Sequence, residues 1–117
     1  MSPRPYPFVP TGGQGATEET EGLPPANDYS YSCLGRERVF QHFSNVHKTP
    51  GRLFRLNYAI DMRYGVIHDV VSKVFAGADV DLTAGNANVI WQGDANSIAR
   101  RCLAHATAPM TPINVSG

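Results

Sequence analysis

Ala95, Ile98, Ala99, Cys102, Leu103 and Ala106 recur at i, i+3, i+4, i+7, i+8 and i+11. That spacing lines one face of an α-helix and no face of a strand. Asp94 stands just before the stripe, where an N-cap belongs, and Ala108-Pro109 ends it. The chain must therefore cover one amphipathic helix with apolar partners, and the rest of the sequence supplies them. NANVIWQ, residues Asn86 to Gln92, reads as a strand centred on Val89, Ile90 and Trp91. Upstream, RLFRLNYAI is an apolar run bounded by Pro50-Gly51 and Asp61, and predicts a strand of about five to seven residues. From Val66 the period changes: Val66, Ile67, Val70, Val71, Val74 and Phe75 predict a helix, stopped by Gly77. VDL at Val80 to Leu82 is expected as a small edge strand and INVSG as a closing strand.

Asp28 to Phe43, DYSYSCLGRERVFQHF, adds an earlier helix. Phe40 and Phe43 give it an apolar spacing, and read from the residues alone its aromatic side chains belong to the core. Tyr29 with Ser32 and Cys33 one turn behind it is also how some enzymes present a phenol to a substrate. A lone Cys33 in that setting reads first as a small buried hydrophobe. Helices alternating with strands point to an α/β architecture over residues 28–117. Residues 1–27 form a separate segment rich in Pro and Gly, with the acidic run TEETE inside it. Its prolines disfavour helix and central strand alike. Its TGGQGA lacks the G-x-G-x-x-G spacing and is followed by carboxylates that would repel a phosphate, so it reads as a loop.

Function classes narrow from charge and composition. Lys plus Arg and Asp plus Glu are 10 each in 117 residues, so no net field draws the chain to nucleic acid or to an anionic membrane. Cys33 and Cys102 lack CxxC spacing, which fits a reducing cytoplasm better than a disulfide framework. No apolar run approaches the ~20 residues of a membrane span, and MSPRPYPF, with three prolines, is no signal peptide. The expected compartment is the cytoplasm. His42, His47, His68 and His105 lie on different elements without a metal-binding spacing, and no G-x-S-x-G marks a serine nucleophile.

Several segments carry a resemblance in order along the chain. YSYSCLGRE resembles the Y-x-x-S-K-x-x-x-E segment of extended short-chain dehydrogenase/reductases, the NAD-dependent epimerase/dehydratase family. Ser2, four residues before Tyr6, resembles the Ser that precedes the Tyr of a V-Y-G turn, and ATEET with Pro24 resembles the acidic loop before the catalytic Tyr. FRLNYAIDMRYGV is similar to an L-R-x-x-N-x-Y-G-P strand and loop, NVIWQGDANSIA to F-x-x-V-D-D-V-A, and INVSG to a late Y-N-x-G strand. The resemblance implies a partial Rossmann-like fold, the C-terminal portion of the domain, without the dinucleotide-binding half and its G-x-x-G-x-x-G turn.

It also implies roles. Tyr29 would exchange a proton with a substrate hydroxyl, Ser2 would help orient the substrate oxygen, and Asn57 or Tyr58 would contact the substrate. The implied substrate is of nucleotide-sugar type and the implied cofactor is NAD(P), whose binding by this chain alone is not expected. A phenol with a pKa near 10 is a poor base at neutral pH, and the family places a Lys one turn on to stabilise the phenolate. Here that position is Cys33, and Arg36 one turn further is no equivalent. Two readings follow: a substrate-side portion of an epimerase/dehydratase-like protein, or a non-catalytic remnant or binding module of the same fold. A truncated product with no role of its own is a third. A partial parallel sheet also implies a homo-oligomer or another chain over its uncovered edge.

Overall fold

The computed structural model describes residues 6–7, 12–13, 15–22, 27–83 and 85–117. Its elements are α1 (Asp28–His47), β1 (Arg52–Leu56), β2 (Ala59–Ile60), α2 (Val66–Phe75), β3 (Ile90–Trp91), α3 (Gln92–Cys102) with a 3₁₀ turn at Leu103–His105, and β4 (Thr111–Val115). Helices alternate with short parallel strands, so the chain is a small mixed α/β unit as the sequence predicts.

The stretch expected as one strand is divided at Asn57-Tyr58. β1 runs parallel to β4, with Arg52 opposite Thr111 and Leu56 opposite Val115. β2 runs parallel to β3, with Ala59 opposite Ile90. The Asn57 N–H still donates to the Val115 carbonyl (2.9 Å), while the Tyr58 carbonyl already accepts from the Ile90 N–H (2.9 Å). The chain therefore passes from one neighbour to the other within two residues, which is why it cannot be one continuous ladder. VDL is not a strand, and NANVIWQ keeps only Ile90–Trp91 as one.

The core is small. Ile90, Ala95 and Val115 are buried together, and Phe54, Leu56, Ala59 and Ile98 pack around them. Ala95 and Cys102 of the predicted stripe are buried, whereas Leu103 at its end is 74% exposed. Asp94 is not the cap of α3: the helix starts at Gln92 after Trp91, and Asp94 lies in its first turn. There a carboxylate still meets the positive end of the helix dipole.

α1 is capped by Asn27, whose side chain accepts from the Ser30 N–H (2.8 Å), and closes on Lys48 at φ 55°. Its aromatic residues are not core. Phe40 and Phe43 are each 54% exposed, and the buried or half-buried positions are Ser30, Cys33, Leu34, Glu37, Gln41 and Ser44. This is a helical stripe rotated away from the aromatics, made of small and polar side chains apart from Leu34. Gly65, at φ 103° before α2, allows a turn that a side chain would block, since a Cβ there would lie 2.6 Å from Ile60. Among the described residues, no helix is long and apolar enough to cross a membrane.

Candidate functional site at the end of β1

The polar face of α1 fixes how the helix lies along the strands. Ser44 Oγ donates to the Thr49 carbonyl (2.6 Å) and accepts from the Met110 N–H (3.0 Å). Gln41 Nε2 donates to the Met110 carbonyl (3.2 Å). Glu37 takes a forked pair of bonds from Arg55, at 2.8 Å from Nη2 and 3.1 Å from Nε. Helix numbers fall as strand numbers rise, so α1 runs antiparallel to β1. From the Glu37–Arg55 pair, four helix residues back cover about 6 Å, the rise of roughly two strand residues. Cys33 is thus level with Asn57, and Tyr29 lies one turn beyond. By this register Cys33 and Tyr29 lie along α1 toward the C-terminal end of β1, the end at which parallel sheets place their ligands.

Among the described residues no hydrogen bond or ring contact joins Tyr29 or Cys33 to Asn57 or Tyr58. Tyr29 is 61% exposed, and Ser32 Oγ donates to its carbonyl (2.7 Å), not to its phenol. Cys33 is 9% exposed, a small side chain packed into the inward face of the helix as its residue type predicts. Arg36 is seven residues from Tyr29, two turns and about 10 Å of axial rise, so it does not stand where the resemblance places the Lys, one turn from the phenol. Asn57 Nδ2 donates to the Asn88 carbonyl (3.2 Å), and its Oδ1 is screened from solvent with no donor facing it. Tyr58 is half-buried beside it. Ser2 lies outside the described residues. Among the described residues, no cluster of His, Cys, Asp and Glu could hold a metal ion.

The strongest polar cluster escaped the sequence reading. Arg55 is held by Glu37 and by the Tyr6 hydroxyl, and its guanidinium stands 5.0 Å from the centre of the Tyr6 ring. Tyr6 in turn donates to Asn114 Oδ1 (2.8 Å). Burial works against the Arg55 charge, but the hydrogen bonds with Glu37 and Tyr6 outweigh it and raise its pKa. An arginine inside an apolar run, with an acid on the preceding helix, was the available signal.

Asn114 also ties down the earlier segment: its N–H donates to Glu18 Oε1 (2.7 Å) and its Nδ2 to the Ala16 carbonyl (3.3 Å). The Asn114 N–H bond lowers the Glu18 pKa below its ordinary value. A depressed carboxyl contributes above the unfolded pKa and loses its contribution as pH falls through the folded one. An acid titration followed by amide NMR should show the Asn114 N–H signal moving below about pH 4.5, the ordinary Glu value, and Glu18→Gln should abolish that movement.

The resemblance raises the question of a dinucleotide site. Such a site needs glycines at a strand-to-helix turn with backbone open to a pyrophosphate. Gly65 and Gly93 stand at the starts of α2 and α3, but their Cβ positions would meet Ile60 at 2.6 Å and the Trp91 indole at 2.7 Å. Both are covered by this chain's own side chains, so neither of these two turns offers open backbone to a pyrophosphate. A groove of about 340 Å³ lies elsewhere, between α2 and residues 85–89, with Val66, Ile67, Val70 and Val89 on its walls. Asn88 links that segment to Asn57.

Comparison with family models, with curated proteins and with solved structures gives no match.

Proposed function

We propose that the chain is a substrate-side, non-catalytic binding module of NAD-dependent epimerase/dehydratase type, holding a nucleotide-sugar or similar small molecule at the C-terminal end of β1. The observation that carries this reading is position 33. A buried thiol occupies the place where the resemblance calls for a cation, and the nearest arginine along the helix, Arg36, is two turns from Tyr29 and not one. Binding is supported by Asn57. An acceptor screened from water with no donor costs about 1–3 kcal/mol, and a ligand hydroxyl or amide that displaced its cover would recover that energy. The groove between α2 and residues 85–89 has mostly apolar walls, the usual make-up of a small-molecule site, and Asn88, next to its wall residue Val89, is bonded to Asn57.

One observation favours a catalytic reading instead. The Tyr29 phenol is open to solvent, so a substrate could reach it. In that reading Tyr29 is the acid/base with Ser2 as its helper, and a second chain supplies both the cofactor and the missing cation.

Calorimetric titration of the folded chain separates the two. Saturable heat with a uridine diphosphate sugar, none with NAD, and about tenfold weaker sugar binding in Asn57→Leu is the expected result. Saturable NAD binding would overturn the non-catalytic reading, and no binding of either ligand by a folded chain would overturn the module itself.

A further inference from the structure

Turning the small and polar side chains of α1 inward leaves its apolar ones outside. Val39, Phe40, Phe43 and Val46 are each more than half exposed. At 100° per residue they span about 120° of the helix surface, and Tyr29, Ser32, Arg36, Val39, Phe43 and Val46 follow alternating steps of three and four. This is the spacing of a seam that receives another helix. Arg36 lies in line with the stripe one turn before Val39, Arg38 flanks it on one side, and Lys48 follows its end. Between Tyr29 and Lys48 the only carboxylate is Glu37, and it is turned inward onto Arg55. Among the described residues, neither Arg36 nor Arg38 has an anionic partner. The exposed face is thus apolar over its C-terminal half, from Val39 to Val46, and positive at Arg36 before it, at Arg38 beside it and at Lys48 after it.

We propose that the outer face of α1 is a docking surface for an acidic amphipathic helix of another protein, whose apolar stripe meets Val39, Phe40, Phe43 and Val46 while its carboxylates meet Arg36, Arg38 and Lys48. Charge selects this occupant over a second copy. An antiparallel self-pair that stacks the apolar halves sets each Arg36 beside the other copy's last turn and Lys48, and a parallel self-pair sets Arg36 against Arg36. Both bring like charges together at close range. Shape selects it over a lipid surface. The apolar stretch is only about two turns long, Val39 to Val46, with Ser32 and Arg36 in line before it, whereas helices that lie in a bilayer interface present a continuous apolar face.

The test uses the whole chain and two fluorescent peptides of about 21 residues with Leu at heptad a and d positions, one carrying Glu at e and g and the other Lys. Fluorescence anisotropy should show saturable binding of the Glu peptide at least about tenfold tighter than that of the Lys peptide. Phe40→Ala/Phe43→Ala should abolish it, with circular dichroism unchanged because both rings are already exposed. Arg36→Glu/Arg38→Glu should invert the preference. Equal binding of the two peptides, or binding of neither by a folded chain, overturns the proposal. So does a dimer in sedimentation that Phe43→Ala dissolves, which assigns the face to a second copy. Partition onto phosphatidylserine vesicles lost in the same variant overturns it in favour of a membrane.

Discussion

Arg55→Ala is expected to lower stability by about 3 kcal/mol, the low end of the loss from breaking a buried ion pair. The Arg55 and Glu37 side chains are 11% and 15% exposed, so enough solvent reaches them to temper the cost without removing it. Truncation leaves the Glu37 carboxylate facing the strand with no cation, frees the Tyr6 hydroxyl of one partner and removes the guanidinium from the Tyr6 ring. It also removes the side-chain link between α1 and β1. At about 4 °C per kcal/mol for a domain of this length, the melting temperature should fall by roughly 12 °C. Arg55→Lys keeps the charge but cannot fork across both Glu37 oxygens, and should fall between the two. Urea unfolding followed by circular dichroism measures all three chains. An alanine variant within about 0.5 kcal/mol of the parent, the ordinary effect of a surface substitution, would mean that α1 is held mainly by Ser44 and Gln41.

That cluster also explains which parts of the fold the residues announced and which they concealed. α3 was legible because a period-3.6 stripe can be buried in only one way, and Ala95 and Cys102 are buried as the stripe demands. α2 was legible as a helix, from Val66 to Phe75, although no residue in it is fully buried. α1 was legible as a helix but misleading in its face. Apolar periodicity pointed to Phe40 and Phe43, while the side that packs is set by what the strands present to it. β1 presents a guanidinium, and the loops at its start present the carbonyls of Thr49 and Met110. Those partners call for Glu37, Gln41 and Ser44, and no reading of hydrophobicity finds them. The break at Asn57-Tyr58 was hidden for a similar reason: it depends on two neighbours, β4 and β3, that are distant in sequence. At the candidate site, residue types marked Cys33 as buried, and only the antiparallel register of α1 brings it level with Asn57.

Cys33→Lys puts that register to the test, and a loss of about 2–4 kcal/mol is expected. Position 33 is 9% exposed and packs inward with Ser30 and Glu37 on either side of it along the stripe. A lysine introduced there must leave its ammonium in a poorly solvated place, shed its proton, or bend its stem to reach water. Losing two or three pKa units to burial accounts for a cost of this size, at about 1.4 kcal/mol per unit. Glu37, one turn away, offers little relief because both its oxygens are already engaged by Arg55. Cys33→Ser is the control for simple loss of the thiol and should cost only about 1 kcal/mol. Denaturant unfolding of the three chains gives the comparison, and the direction of the result bears on function. A strongly destabilised lysine variant means that the helix face is built around a small neutral side chain, and that Tyr29 was not placed to work beside an ammonium. A lysine variant as stable as the parent means that the side chain escapes toward the exposed first turn of α1. There it would reach Tyr29, and the catalytic reading would replace the non-catalytic one.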